Sequence, residues 1–143
     1  MRKPFKIIAL LLIVALLPSA IGVGYAAFRK SQWRRSGGVT VQPGDWLQTR
    51  MLIPAVLREL PLPGLTGEPT HFYFCEGGDI EINHLHFRTT FPRDEVTRQL
   101  EPFLRGHGFD KTGPNFTRGG EQINIAYETQ DGQAWVKVFM TRK

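Results

Sequence analysis

The stretch "HFYFCEGGDIEINHLHFRTTFPRDEVTRQLEPFLRGHGF", His71 to Phe109, decides how the chain folds. Its first part places aromatic and β-branched residues on both sides of "EGGD", a turn by composition, and reads as a β-hairpin centred near Gly77 and Gly78. Its second part changes period. Val96, Leu100, Phe103 and Leu104 recur at helical spacing, with Pro92 suited to the first helical position and Asp94 and Glu95 to the positive end. Gly106 or Gly108 suits the stop, and Pro102 inside the helix predicts a kink near its last turn.

Downstream, "NFTRGG", "EQINIAYET" and "QAWVKVFMT" read as strands, and Asp131-Gly132 between the last two is a strong two-residue hairpin signal. Upstream, "DWLQTRMLIPAVLREL" places Leu47, Met51, Leu52, Val56, Leu57 and Leu60 on one helical face, with Asp45 as its cap. Pro54 must kink that helix or split it, the second piece then starting at Pro54. "PLPGLTGEPT" reads as a loop. The order helix, strand, strand, helix and three strands predicts an α+β domain over 45–143. Its sheet is mostly antiparallel, of about five strands, with one or two helices on one face.

The chain has 143 residues, and its beginning is not domain-like. From Ile7 to Phe28 no residue is charged. At 1.5 Å per residue the run reaches about 33 Å, enough for a hydrocarbon core of about 30 Å, so 1–28 is expected to be a transmembrane signal anchor. The rival reading is a cleaved signal peptide: Arg2, Lys3 and Lys6 form a basic start, and Gly24 to Ala26 offers small residues to a peptidase. Either way the domain is expected outside the cytoplasm, single-pass and membrane-held, or secreted after cleavage. Arg29, Lys30, Arg34 and Arg35 follow the run and open a basic, Gly- and Pro-containing tether over 29–44.

Seven of the 18 basic residues flank the apolar run, which leaves 11 against 13 acidic residues in the rest of the chain. The basic flanks suit anionic headgroups, and no remaining basic patch with interleaved aromatics argues for nucleic acid. The partners implied are a membrane, through the N-terminal helix, and another protein.

His84 and His86 are two apart and share a strand face with Arg88, while His71, Tyr73 and Cys75 share a face of the partner strand. If the two faces coincide, His84, His86, Cys75 and His71 converge on a site for Zn²⁺ or Cu²⁺, which take imidazole and thiolate. A wet hairpin face is the plainer reading. His-x-His lacks the paired spacing of a zinc motif, and Arg88 in the row repels a cation.

Other chemistry is scarce. The serines, Ser19, Ser31 and Ser36, all precede the domain, which removes a Ser-His-Asp site from it. Cys75 is the only cysteine, and Glu76, Asp79 and Glu81 nearby disfavour its thiolate. "QAWVKVFMT" is apolar on both faces: Val136, Val138 and Met140 on one, Trp135 and Phe139 with Lys137 on the other. Either the first helix covers the second face, or that face is the expected protein contact. The sequence therefore points to a non-enzymatic, membrane-anchored interaction domain without a cofactor, an accessory subunit of an envelope complex being one such role. The alternative is a metal-binding or metal-sensing domain.

Overall fold

The computed structural model describes residues 22–77 and 79–143. Residues 22–35 are helical (α1), followed by β1 (Val39–Val41), α2 (Trp46–Leu52), α3 (Ala55–Arg58), β2 (Leu65–Glu76) and β3 (Ile80–Thr89). Then come α4 (Arg93–Gly106), β4 (Asp110–Thr112), β5 (Asn115–Arg118), β6 (Glu121–Gln130) and β7 (Gln133–Arg142). The strands form one antiparallel sheet in the order β1-β2-β3-β7-β6-β5-β4. α4 carries the chain from β3 to the far edge, and the last four strands return to pair with β3.

The α+β class and the antiparallel sheet agree with the sequence, but there are seven strands rather than about five. The additions, β1 and β4, have three residues each. Three residues are too few to show a period, so pairing alone creates them. β1 also lies inside 29–44, the stretch expected to be a tether. There Trp33 and Val41 are buried in the core, and Val39 packs against it.

β2 starts at Leu65, inside the expected loop. Its ladder to β3 shifts register between Thr66 and Thr70, and that irregularity takes Pro69 out of the regular pairing, where its missing N–H would leave a gap.

The caps follow their chemistry. The Asp45 carboxylate accepts a hydrogen bond from the Gln48 backbone N–H at 2.9 Å, and Pro54 splits the upstream helix, serving as the N-cap of α3. Pro92 is likewise the N-cap of α4 rather than its first residue, and α4 runs on past Pro102 to Gly106. Asp131 and Gly132 both adopt positive φ, 52° and 72°, as a two-residue hairpin turn requires.

One core joins the helices to one face of the sheet. Leu52, Val56, Leu57, Val96, Leu100 and Leu104 meet Tyr73, Leu85, Phe87, Ile123, Val136, Val138 and Met140. All these side chains are at most 4% exposed. The helices thus lie on one side of the sheet. Residues 1–21, with most of the expected anchor and the basic Arg2, Lys3 and Lys6, lie outside the described residues. Among the described residues no helix is long and apolar enough to cross a membrane.

Candidate functional site: the outer face of the sheet

The face turned away from the helices carries a continuous row across six strands. Thr40 pairs with Phe72, Phe72 with His84, His84 with Phe139, Phe139 with Asn124, and Asn124 with Asn115. Side chains alternate along each strand, so the neighbouring rows, Thr70-His86-Lys137-Ala126 and Phe74-Ile82-Thr141-Gln122, face the same way. No helix among the described residues covers them.

The centre of this face is aromatic and half-buried by its own packing. The His84 ring meets Phe139 edge-on at 4.4 Å and Phe74 at 5.5 Å, and stacks on His86 at 5.8 Å. Burial holds both imidazoles below their ordinary pKa, and Lys137 adds to the effect, so they are neutral at pH 7. His86 Nε2 is buried with no hydrogen-bond partner among the described residues. Lys137 bonds Glu128 at 2.5 Å, Arg88 lies 5.8 Å over Trp135 and bonds Gln133, and the Asn124 amide donates to Asn115 at 2.8 Å. The result is a neutral apolar centre with a polar rim whose charges are largely matched. Trp135, Lys137 and Phe139, the expected contact residues, all lie on it.

The four candidate metal ligands are divided between the two faces. Phe72, not His71, stands opposite His84, and Cys75 pairs with Glu81. His71 and Cys75 therefore share the helix side with Tyr73, while His84 and His86 point outward. The convergence imagined from the sequence needed a register one residue away from this one. Among the described residues no group of three or more His, Cys, Asp or Glu side chains is placed to hold a metal ion. His71 instead lines a 230 Å³ pocket with Val41, Pro43, Ile53 and Pro69, where burial lowers its pKa.

One charged centre went unread in the sequence. Glu81, 6% exposed, accepts from Arg34 at 2.5 Å, Lys30 at 3.1 Å and Arg142. The Tyr73 hydroxyl lies 3.4 Å away. Burial pushes the carboxyl pKa up, but the hydrogen bonds from Arg34, Arg142 and Lys30 outweigh it and hold the pKa down to about 2. The same pairing raises the pKa of Arg34. Arg29 lies 5.2 Å over the buried Trp33 ring, and Arg35 is exposed. In the sequence Glu81 stands with Glu76 and Asp79 near Cys75, yet it is in phase with Leu85 and Phe87. That phase was the available sign of burial; its cationic partners, 47 or more residues distant, were not legible.

Comparison with family models, with curated proteins and with solved structures finds no match for this chain.

Proposed function

We propose that this is a non-enzymatic interaction domain, anchored to a membrane by its N-terminal apolar segment, that binds a protein through the outer face of its sheet. The observation that carries the reading is the Phe72-His84-Phe139 row with its neighbours Phe74 and Ile82. A second layer would normally bury such a row, and no helix among the described residues lies over it. An apolar centre inside a rim of amides, hydroxyls and paired charges has the anatomy of a protein interface. The chemistry suits a neutral, apolar-centred protein surface. It does not suit a polyanion, since Lys137 is matched to Glu128 and Arg88 rests on Trp135. Anchoring rests on the uncharged run from Ile7 to Phe28 and its basic flanks.

The test is site-specific photo-crosslinking in native membranes, with the photoreactive residue at Lys137 on this face or at Lys111 on the β4 edge. A discrete adduct from position 137 that position 111 does not give, and that Phe139→Ala abolishes, supports the reading. Equal, diffuse labelling at both positions would overturn it.

A further inference from the structure

We infer that the Glu81 end of the domain is a docking surface for anionic phospholipid headgroups, held at headgroup depth by α1. The inference rests on the membrane-anchored reading above and adds to it which end of the domain meets the lipid, and why.

α1 is divided in character. Val23, Tyr25 and Phe28 in its first half are 72%, 53% and 60% exposed, although apolar. Trp33 in its second half is in the domain core, and Lys30 and Arg34, one turn apart on the same helical face, both bind Glu81. Val23, Tyr25 and Phe28 thus stand clear of the protein while the following turns are locked to it. Residues 30–35, within the stretch expected as a tether, form a strut.

The strut sets a depth. A bilayer of about 40–45 Å has a hydrocarbon core of about 30 Å, which leaves about 5–8 Å of headgroup on each side. Counting from Phe28 at 1.5 Å per residue, Lys30 lies about 3 Å and Arg34 about 9 Å beyond the end of the apolar run. With α1 along the bilayer normal, the Glu81 cluster spans the headgroup layer.

Its chemistry fits that layer. Lys30, Arg34, Asp79, Glu81, Arg142 and Lys143 line one cavity of 230 Å³. The cations are its outer surface: the side chains of Lys30, Arg34 and Arg142 are 30%, 43% and 42% exposed, and that of Glu81 only 7%. A phosphate approaching from outside meets guanidinium and ammonium groups positioned by a carboxylate beneath them. Two carboxylates against four cations leave a surplus of positive charge, and each arginine has N–H donors beyond those Glu81 uses.

The test uses the full chain in vesicles of phosphatidylcholine with and without phosphatidylglycerol. A nitroxide is placed at Glu76→Cys, beside the cluster, or at Gln130→Cys, at the opposite end of the sheet, each in Cys75→Ser. Vesicle flotation is scored first. With anionic lipid, the label at 76 should be several-fold less accessible to an aqueous nickel chelate than the label at 130. Omitting phosphatidylglycerol, and separately Lys143→Glu, whose side chain lines the cavity without pairing to Glu81, should reduce the difference several-fold without changing the circular dichroism spectrum. A chain that floats with the vesicles yet shows equal accessibility at 76 and 130 overturns the headgroup surface and leaves anchoring intact. A chain that does not float overturns both.

Discussion

Phe72 stands directly across the β2–β3 ladder from His84, and this single pairing assigns every side chain of the hairpin to a face. It sends His84 and His86 outward beside Phe139, and Tyr73, His71 and Cys75 toward the helices.

Metal uptake follows from that assignment. Any Zn²⁺ or Cu²⁺ bound through His84 and His86 should be unaffected by Cys75→Ser or His71→Ala, because the sheet itself separates the two pairs. Elemental mass spectrometry of these two variants beside the parent measures this. A loss of metal in Cys75→Ser would mean that the ladder is one residue out of this register.

The two faces should differ in what truncation costs. Leu85 is fully buried beneath the helices, so Leu85→Ala is expected to cost about 2–5 kcal/mol. Phe139→Ala removes a half-buried ring and is expected to cost less, its contact with His84 adding about 1 kcal/mol to the partial area it buries. Urea unfolding of both variants decides; equal losses would make Phe139 a structural residue rather than a contact.

Glu81 couples α1 to the sheet, and its influence has a defined pH window. A carboxylate held at about 2 in the fold, against an ordinary 4.5, adds stability that is complete above pH 4.5 and lost as pH falls toward 2. The shift corresponds to about 3 kcal/mol. Glu81→Gln should lower the neutral-pH stability by a similar amount and flatten the acid limb of a stability–pH profile.

The histidines act at higher pH and through the opposite protonation state. Burial, with Lys137, lowers the pKa of His84 and His86 below 6.5, so the unfolded chain takes up protons there more readily than the folded one. Stability should fall as pH drops through 6.5 and level off below the folded values. Glu128 opposes the shift at His86, and His71, lowered by burial on the other face, leaves a residual slope. Urea midpoints at about pH 8 and about pH 5.5, for the parent and for His84→Asn/His86→Asn, should show the slope reduced in the double variant.

By itself the sequence determined what local chemistry can encode. Apolar residues at a helical period specified the interior face of α4, Asp45 and Pro54 the ends of the short helices, and Asp131-Gly132 the last turn, because each acts on neighbours within a few bonds. The alternation along β7 likewise separated Val136, Val138 and Met140 from Trp135 and Phe139, since side-chain parity within a strand needs no partner. Tertiary structure alone decided what depends on distant partners. Strands of three residues exist only by pairing, so β1 and β4 were invisible. The face on which His71 and Cys75 lie relative to His84 was set by a ladder register that a turn containing two glycines does not specify. The burial of Glu81 required cations from α1 and β7, brought together from opposite ends of the chain, and only the closed fold supplies them.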